Sequence, residues 1–173
     1  MPDILLHLLP HVVSALLYGG LGFYFWHTRW RETDQPNVTL PMQNWERGAL
    51  LVAMLTQGYG LYRDLFGAGG MRFSFSCALS LMLWLAVLIY WLESFRSRMD
   101  GLQSMVLPLA ALSAAAPALF PQLRVIAHAG AWGFQLHFLT AMLAYSLFTL
   151  SALHAVFMGF AERKLHQRAV TRS

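Results

Sequence analysis

Four histidines in and beside two apolar segments are the residues of this sequence whose type and spacing could bind a metal. His7 and His11 lie four residues apart in the first apolar segment, so they share one face of a helix. His128 precedes the last apolar segment, and His137 lies about one helical turn into it. A neutral imidazole is a good iron ligand, and histidine is a common axial ligand of haem. The pattern allows a haem site with His137 as its first candidate ligand and His128, His11 or His7 as the second.

A simpler interpretation of these histidines is structural. A histidine inside a membrane often only hydrogen-bonds a neighbouring helix, and one near a helix end can lie at the interface. A polar side chain facing hydrocarbon is costly, so we expect His7, His11 and His137 to point into the bundle or toward the interface. His154 lies 17 residues beyond His137. It is about 26 Å away along a helix, so it cannot bind the same iron and is interpreted as an inner-interface residue.

The composition indicates a membrane protein. Of 173 residues, 57% are hydrophobic and only 12% are charged, whereas a soluble domain carries about 25% charged residues. The twelve Lys and Arg residues flank apolar segments and form no basic stripe, so nucleic-acid binding is not expected. The single cysteine, Cys77, excludes a disulfide within the chain and any C-x-x-C motif.

Five apolar segments are long enough for helices that cross a hydrocarbon core of about 30 Å. They predict one all-α membrane domain over residues 1–173, a polytopic helical bundle with about five spans. The predicted spans are Ile4–Trp26, Gly48–Phe66, Phe73–Leu92, Leu102–Phe120 and Gly133–Phe160.

The distribution of Lys and Arg predicts the orientation of these spans. Nine lie in the first and third connections and the C-terminal tail, against Arg63, Arg72 and Arg124 on the opposite side. Because cytoplasmic loops are enriched in Lys and Arg, we expect the N-terminus outside and the C-terminus in the cytoplasm. His137 then lies near the outer surface.

Polar residues in the second and fourth segments suggest packing more than chemistry. Gln57 is expected near mid-membrane, either hydrogen-bonding across helices or lining a cavity. Arg63 and Asp64 are interpreted as a solvated interfacial pair in preference to a proton relay. The fourth segment, rich in Ala and containing Pro108 and Pro117, is interpreted as a packing helix. No catalytic motif is present, so we do not expect an enzyme.

Several of these segments together resemble a known family. LHFLTAMLAYSLFTLSALHAVFMGFAERKL resembles the histidine-containing span of the cytochrome c assembly membrane proteins of the CcsA/ResC/CcmC type, in which a Tyr follows the His by about eight residues. Here that pair is His137 and Tyr145. GYGLYRDLF and MRFSFSCALSLMLWLAVLIYWLES resemble the second and third spans of the shorter YpjD/HemX-like branch. The resemblance covers residues from about Leu50 to Arg168.

The resemblance implies an inner-membrane protein that binds haem, or moves it toward the outer face, for attachment to apocytochrome c with other assembly proteins. His137 matches the external histidine that full members carry on this span. As in the shorter branch, the tryptophan-rich segment and the second external histidine after it are absent. We also expect the chain to be short at its C-terminus relative to that family. The alternatives are a structural or regulatory membrane subunit that has lost haem binding, and a small transporter unrelated to haem.

Overall fold

The structure, a computed structural model, describes residues 2–31, 42–66, 72–96, 102–120, 124–125 and 131–170. Those residues form five α-helices, and a π-helical turn at Trp26–Arg31 follows the first of them. The helices are α1 Pro2–Phe25, α2 Asn44–Phe66, α3 Phe75–Glu93, α4 Gln103–Leu119 and α5 Trp132–Val170. Two short strands, β1 Arg72–Phe73 and β2 Arg124–Val125, pair antiparallel, with Arg72 opposite Val125 and Phe73 opposite Arg124.

Helices α1 to α4 form a closed four-helix bundle, and α5 lies outside it. α1 packs against α2 and α4, and α3 packs against the same two helices from the other side. α5 packs mainly against α3, where the hydroxyl of Ser146 donates to the backbone oxygen of Met82 at 2.7 Å. Side chains that point into the bundle are therefore surrounded by four helices, whereas α5 is covered mainly on the face that packs on α3.

One end of the molecule, the polar end, joins polar side chains from several helices. It comprises the starts of α1, α3 and α5 and the ends of α2 and α4. Two contacts define it: His11 near the start of α1 bonds Asp64 near the end of α2, and the Ser76 hydroxyl in α3 donates to the backbone oxygen of Phe120 after α4. Strands β1 and β2 precede α3 and follow α4, so they lie at this end as well.

The apolar core fills the half of the bundle away from the polar end. Its fully buried members include Tyr18, Phe25, Leu50, Val87 and Leu107. In a membrane, lipid is as apolar as these side chains, so helix association depends on close packing.

Small residues on α4 allow that close packing. Ala110 and Ala114 are buried in the core, and a Cβ built on Gly22 of α1 would lie 3.3 Å from Leu107. The prediction that the fourth segment is a packing helix is confirmed, and Pro108 and Pro117 both lie inside α4.

The lengths and compositions of the helices are those expected of a membrane protein. In the described part of the chain, three helical segments are long and apolar enough to cross a membrane: His7–Thr28, Phe75–Glu93 and Trp132–Phe160. The apolar part of α4, Met105–Leu119, is shorter. The helical fold class is therefore confirmed for the described residues, apart from the two short strands, and three of its helices are long and apolar enough to cross a membrane. The count of five spans and their orientation stay predictions.

Candidate functional site at the polar end

Among the described residues of the polar end, a close pair of ionisable side chains joins α1 to α2. The Nε2 atom of His11 lies 2.9 Å from Oδ2 of Asp64. The His11 side chain is 3% exposed and the Asp64 side chain is 12% exposed. A charged or polar group so far from solvent is stable only when it has a partner. The pair therefore satisfies two groups that would each be costly alone.

Local sequence explains how the two helices come close enough for this pair. Gly60 lies one turn before Asp64 on the same face of α2. A Cβ at position 60 would lie 3.1 Å from Cε1 of His11 and 3.1 Å from Cβ of Pro10. The absence of a side chain at Gly60 thus leaves the space that the imidazole of His11 occupies.

A cavity of about 200 Å³ opens beside this pair. His7 lies on its wall, 49% exposed, with Nδ1 at 4.0 Å from Oδ1 of Asp64. α3 contributes Cys77 to the wall, with its Sγ 4.0 Å from Oδ2 of Asp64. The full lining is His7, Leu8, His11, Asp64, Ser74, Ser76, Cys77, Pro117, Ala118 and Phe120.

The interpretation of Arg63 and Asp64 as a solvated pair is wrong. Asp64 is largely buried and bonds His11, whereas the guanidinium carbon of Arg63 lies 5.8 Å from the centre of the Tyr59 ring. The physical reason is helix geometry: adjacent residues point about 100° apart, so only Asp64 faces α1. The spacing of Gly60 and Asp64 in GYGLYRDLF is the signal that could have indicated a buried partner for His11.

His137 occupies the contrasting position at the same end. It lies on an exposed face of α5, and its side chain makes no hydrogen bond or ion pair to any described residue. The face of α5 that packs on α3 carries Ser146, half a helical turn away in register from His137. His137 therefore points away from the bundle, and its ring nitrogens bond no described residue.

The remaining candidates fall in other places. His128 lies outside the described residues. His154 is exposed on α5, 17 residues along the helix from His137, which puts it about 26 Å away. The cavity contains His7 and His11 but neither His137 nor His154. The structure thus brings His7 and His11 together with Asp64, and keeps His137 separate from them.

Gln57 makes the interhelical contact that was one of its two expected roles. Its Nε2 donates to the hydroxyl of Ser80 in α3 at 2.9 Å and lies 3.3 Å from the Ser80 backbone oxygen. Gln57 is fully buried, so this contact holds α2 against α3 near the middle of the bundle.

The fit of a haem differs between the two histidine sites. Ligand cavities for molecules of that class measure about 300–1,000 Å³, so the 200 Å³ cavity at His11 is too small to enclose a porphyrin. The surface at His137 is open: a Cβ on Gly133, one turn earlier, would have no described atom within 4 Å, and Ala141, one turn later, is small. The imidazole of His137 is therefore open to an external ligand, and a haem would have room beside it. Within the described residues, no group of three or more His, Cys, Asp and Glu has a geometry suited to a metal ion.

Comparisons with known proteins identify no relative of this chain. The chain matches no family model, and neither a curated protein nor a solved structure is significantly similar to it.

Proposed function

We propose that this chain is a haem-binding or haem-handling membrane protein that assists cytochrome c assembly at the outer face of a bacterial inner membrane. The observation that carries the proposal is the exposed imidazole of His137, which has no partner among the described residues. An unengaged ionisable group is expensive in or near hydrocarbon, so its usual explanation is a function. Bound haem would give this imidazole a partner, because histidine is a common ligand of haem iron.

The surroundings of His137 suit the edge or face of a porphyrin. Trp132, Phe134 and Leu136 are exposed apolar side chains at the same end of α5, and Gly133 leaves open space beside the imidazole. Bound haem would supply a redox-active iron. The residues of this chain would hold the macrocycle against α5 and leave its other side open to a second ligand or a partner protein.

Haemin titration of the full chain in detergent tests the proposal. We expect saturable binding with a sharp Soret band, because an axial imidazole fixes the coordination of the iron. A broad spectrum equal to that of haemin in empty micelles would contradict haem binding.

A structural or regulatory membrane subunit is the second candidate. The observation that favours it is the His11–Asp64 bond, which uses a histidine to hold two helices together. In the described residues, the outward face of α5 near His137 carries no second histidine. A protein that binds no haemin yet copurifies with cytochrome c assembly proteins would support this second function.

A further inference from the structure

The wall of the cavity at the polar end offers hydrogen-bond acceptors whose neighbouring donors are already engaged. A carboxylate only accepts, so Nε2 of His11 donates to Oδ2 of Asp64 at 2.9 Å. The Ser76 hydroxyl donates to the backbone oxygen of Phe120 at 3.0 Å, so Ser74 is the donor in its 2.8 Å contact with Ser76. These donors are used within the protein, whereas Oδ1 of Asp64 and the Ser76 oxygen can each accept a further bond.

The cavity also carries a negative charge. Among the described residues that line it there is no Lys or Arg, and Asp64 alone is charged when histidine is counted as neutral. Oδ1 of Asp64 lies 4.0 Å from Nδ1 of His7, which is too far for a hydrogen bond. The guanidinium of Arg63 lies by the Tyr59 ring instead. A carboxylate that is only 12% exposed favours a cation, and a cation with N–H groups also satisfies its free oxygen.

The volume and the remaining wall limit the size and character of a ligand. A volume of about 200 Å³ equals that of roughly seven water molecules at about 30 Å³ each, so the cavity can hold a group the size of a short alkylammonium. The rest of the wall is largely apolar, and it includes Leu8 of α1, Pro117 and Ala118 of α4, and Phe120. This wall suits a cationic head with a short hydrocarbon part.

The cavity lies at the depth where lipid headgroups meet membrane helices. His7 begins one of the segments long enough to cross a membrane, and Phe75, between the lining residues Ser74 and Ser76, begins another. His7 is 49% exposed on the wall of the cavity. An ammonium group can therefore reach the cavity either on a lipid headgroup or on a free amine from the aqueous phase.

We propose that this cavity binds a primary ammonium group, with Oδ1 of Asp64 as its counterion and the Ser76 oxygen as a second acceptor. His11 positions the carboxylate by its bond to Oδ2. The apolar part of the wall contacts the carbon atoms attached to the ammonium group. His137 does not line the cavity, so the site is independent of haem binding and is tested on haem-free protein.

Binding of small amines tests the chemistry of the site. The full chain is placed in phosphatidylcholine nanodiscs, whose headgroups carry no N–H donor, and is titrated calorimetrically with n-propylammonium. We expect saturable binding. Tetramethylammonium keeps the charge but has no N–H, and n-propanol keeps the size but has no charge. Each should bind at least about tenfold more weakly, because it loses a hydrogen bond between charged groups. Equal affinity for all three compounds would overturn the proposal.

Substitutions in the wall assign the binding to this cavity. Asp64→Asn removes the charge and keeps an oxygen that accepts from His11, and it should weaken n-propylammonium binding at least about tenfold. Arg63→Gln is the matched control, since Arg63 does not line the cavity, and it should keep the wild-type affinity. Ala118→Leu reduces the cavity with Asp64 intact and should also weaken binding. Wild-type affinity in Asp64→Asn would overturn the proposal.

Exchange of the lipid identifies the source of the ammonium group. Phosphatidylethanolamine has the N–H donors that N-methyl groups replace in phosphatidylcholine. If the headgroup is the ligand, phosphatidylethanolamine should compete with n-propylammonium and raise the Tm of the wild type but not that of Asp64→Asn. If a free amine is the ligand, n-propylammonium should bind equally in both lipids. Either result supports the ammonium site, and a chain that neither n-propylammonium nor phosphatidylethanolamine binds would overturn it.

Discussion

His11 and His137 lie at the same end of the molecule and have opposite surroundings. His11 is enclosed by the four-helix bundle and bonds Asp64 at 2.9 Å, whereas His137 lies exposed on α5 without a partner among the described residues. The difference follows from the helices that carry them: α1 packs on two neighbours, and α5 is covered mainly by α3. An imidazole in a closed bundle can hold two helices together, and one on an open face can bind an external ligand.

Both histidines should lie on the outer side of the membrane, and reporter fusions should show this sidedness as an all-or-none difference in reporter activity. A reporter fused after Ser173 should be active only in its cytoplasmic form, because Lys and Arg concentrate on that side. The same reporter inserted between Phe66 and Arg72 should be active only in its external form. The reverse pattern would put both histidines at the cytoplasmic face and remove the basis for haem delivery outside.

Substituting matched alanines should distinguish the enclosed bundle from the open helix. Ala114→Leu adds bulk to a fully buried site between helices, and overpacking of this kind costs about 1–3 kcal/mol of unfolding free energy. Ala115 is only half-buried, so Ala115→Leu should cost less. The control is Ala152→Leu on the exposed face of α5, which should change stability by less than about 0.5 kcal/mol. Equal losses at Ala114 and Ala152, measured by thermal unfolding in detergent, would show that α5 is enclosed too.

Removing the partner of His11 should lower the unfolding free energy of the bundle by an amount similar to that for Ala114→Leu, or smaller. Asp64→Ala leaves Nε2 of His11 without an acceptor in a buried position, which costs about 1–3 kcal/mol. Arg63→Ala, one residue earlier, should lower the unfolding free energy by less than Asp64→Ala, because its guanidinium lies over the Tyr59 ring and does not contact His11. If both variants unfolded at the wild-type temperature, the His11–Asp64 bond would contribute no stability.

The interhelical bond of Gln57 should have the smallest effect on stability. Gln57→Leu removes its bonds to Ser80, and such bonds in membrane proteins contribute about 0.6 kcal/mol on average. Thr56→Val is the control, because the Thr56 hydroxyl bonds only the backbone oxygen of Val52 in its own helix. A loss above about 2 kcal/mol for Gln57→Leu would mean that the interior depends on polar contacts more than on packing.

Apolar segments predicted the fold better than the polar residues predicted the site. The helix at Gly133–Phe160 is found inside α5, and the packing role of the Ala-rich fourth segment is confirmed by buried Ala110 and Ala114. These follow from composition and length, which are local properties of the sequence.

The partner of His11 could not be read from the sequence in the same way. His11 and Asp64 are 53 residues apart, and nothing local to either residue specifies how α1 docks on α2. Charge proximity pointed to Arg63 as the partner of Asp64, but the direction in which each side chain leaves the helix decides which group it meets. The open position of His137 depended likewise on how α5 docks on α3, which its apolar pattern alone does not determine.

The haem spectrum of two histidine variants on α5 tests the central claim most directly. His137→Ala should abolish or sharply reduce the Soret band of the haemin-loaded chain while expression and helicity stay unchanged, and added imidazole should partly restore the band. His154→Ala is the matched control, because it removes another exposed histidine of the same helix about 26 Å away. It should leave the spectrum unchanged. An unaltered Soret band in His137→Ala, or equal losses in both variants, would contradict His137 as the haem ligand.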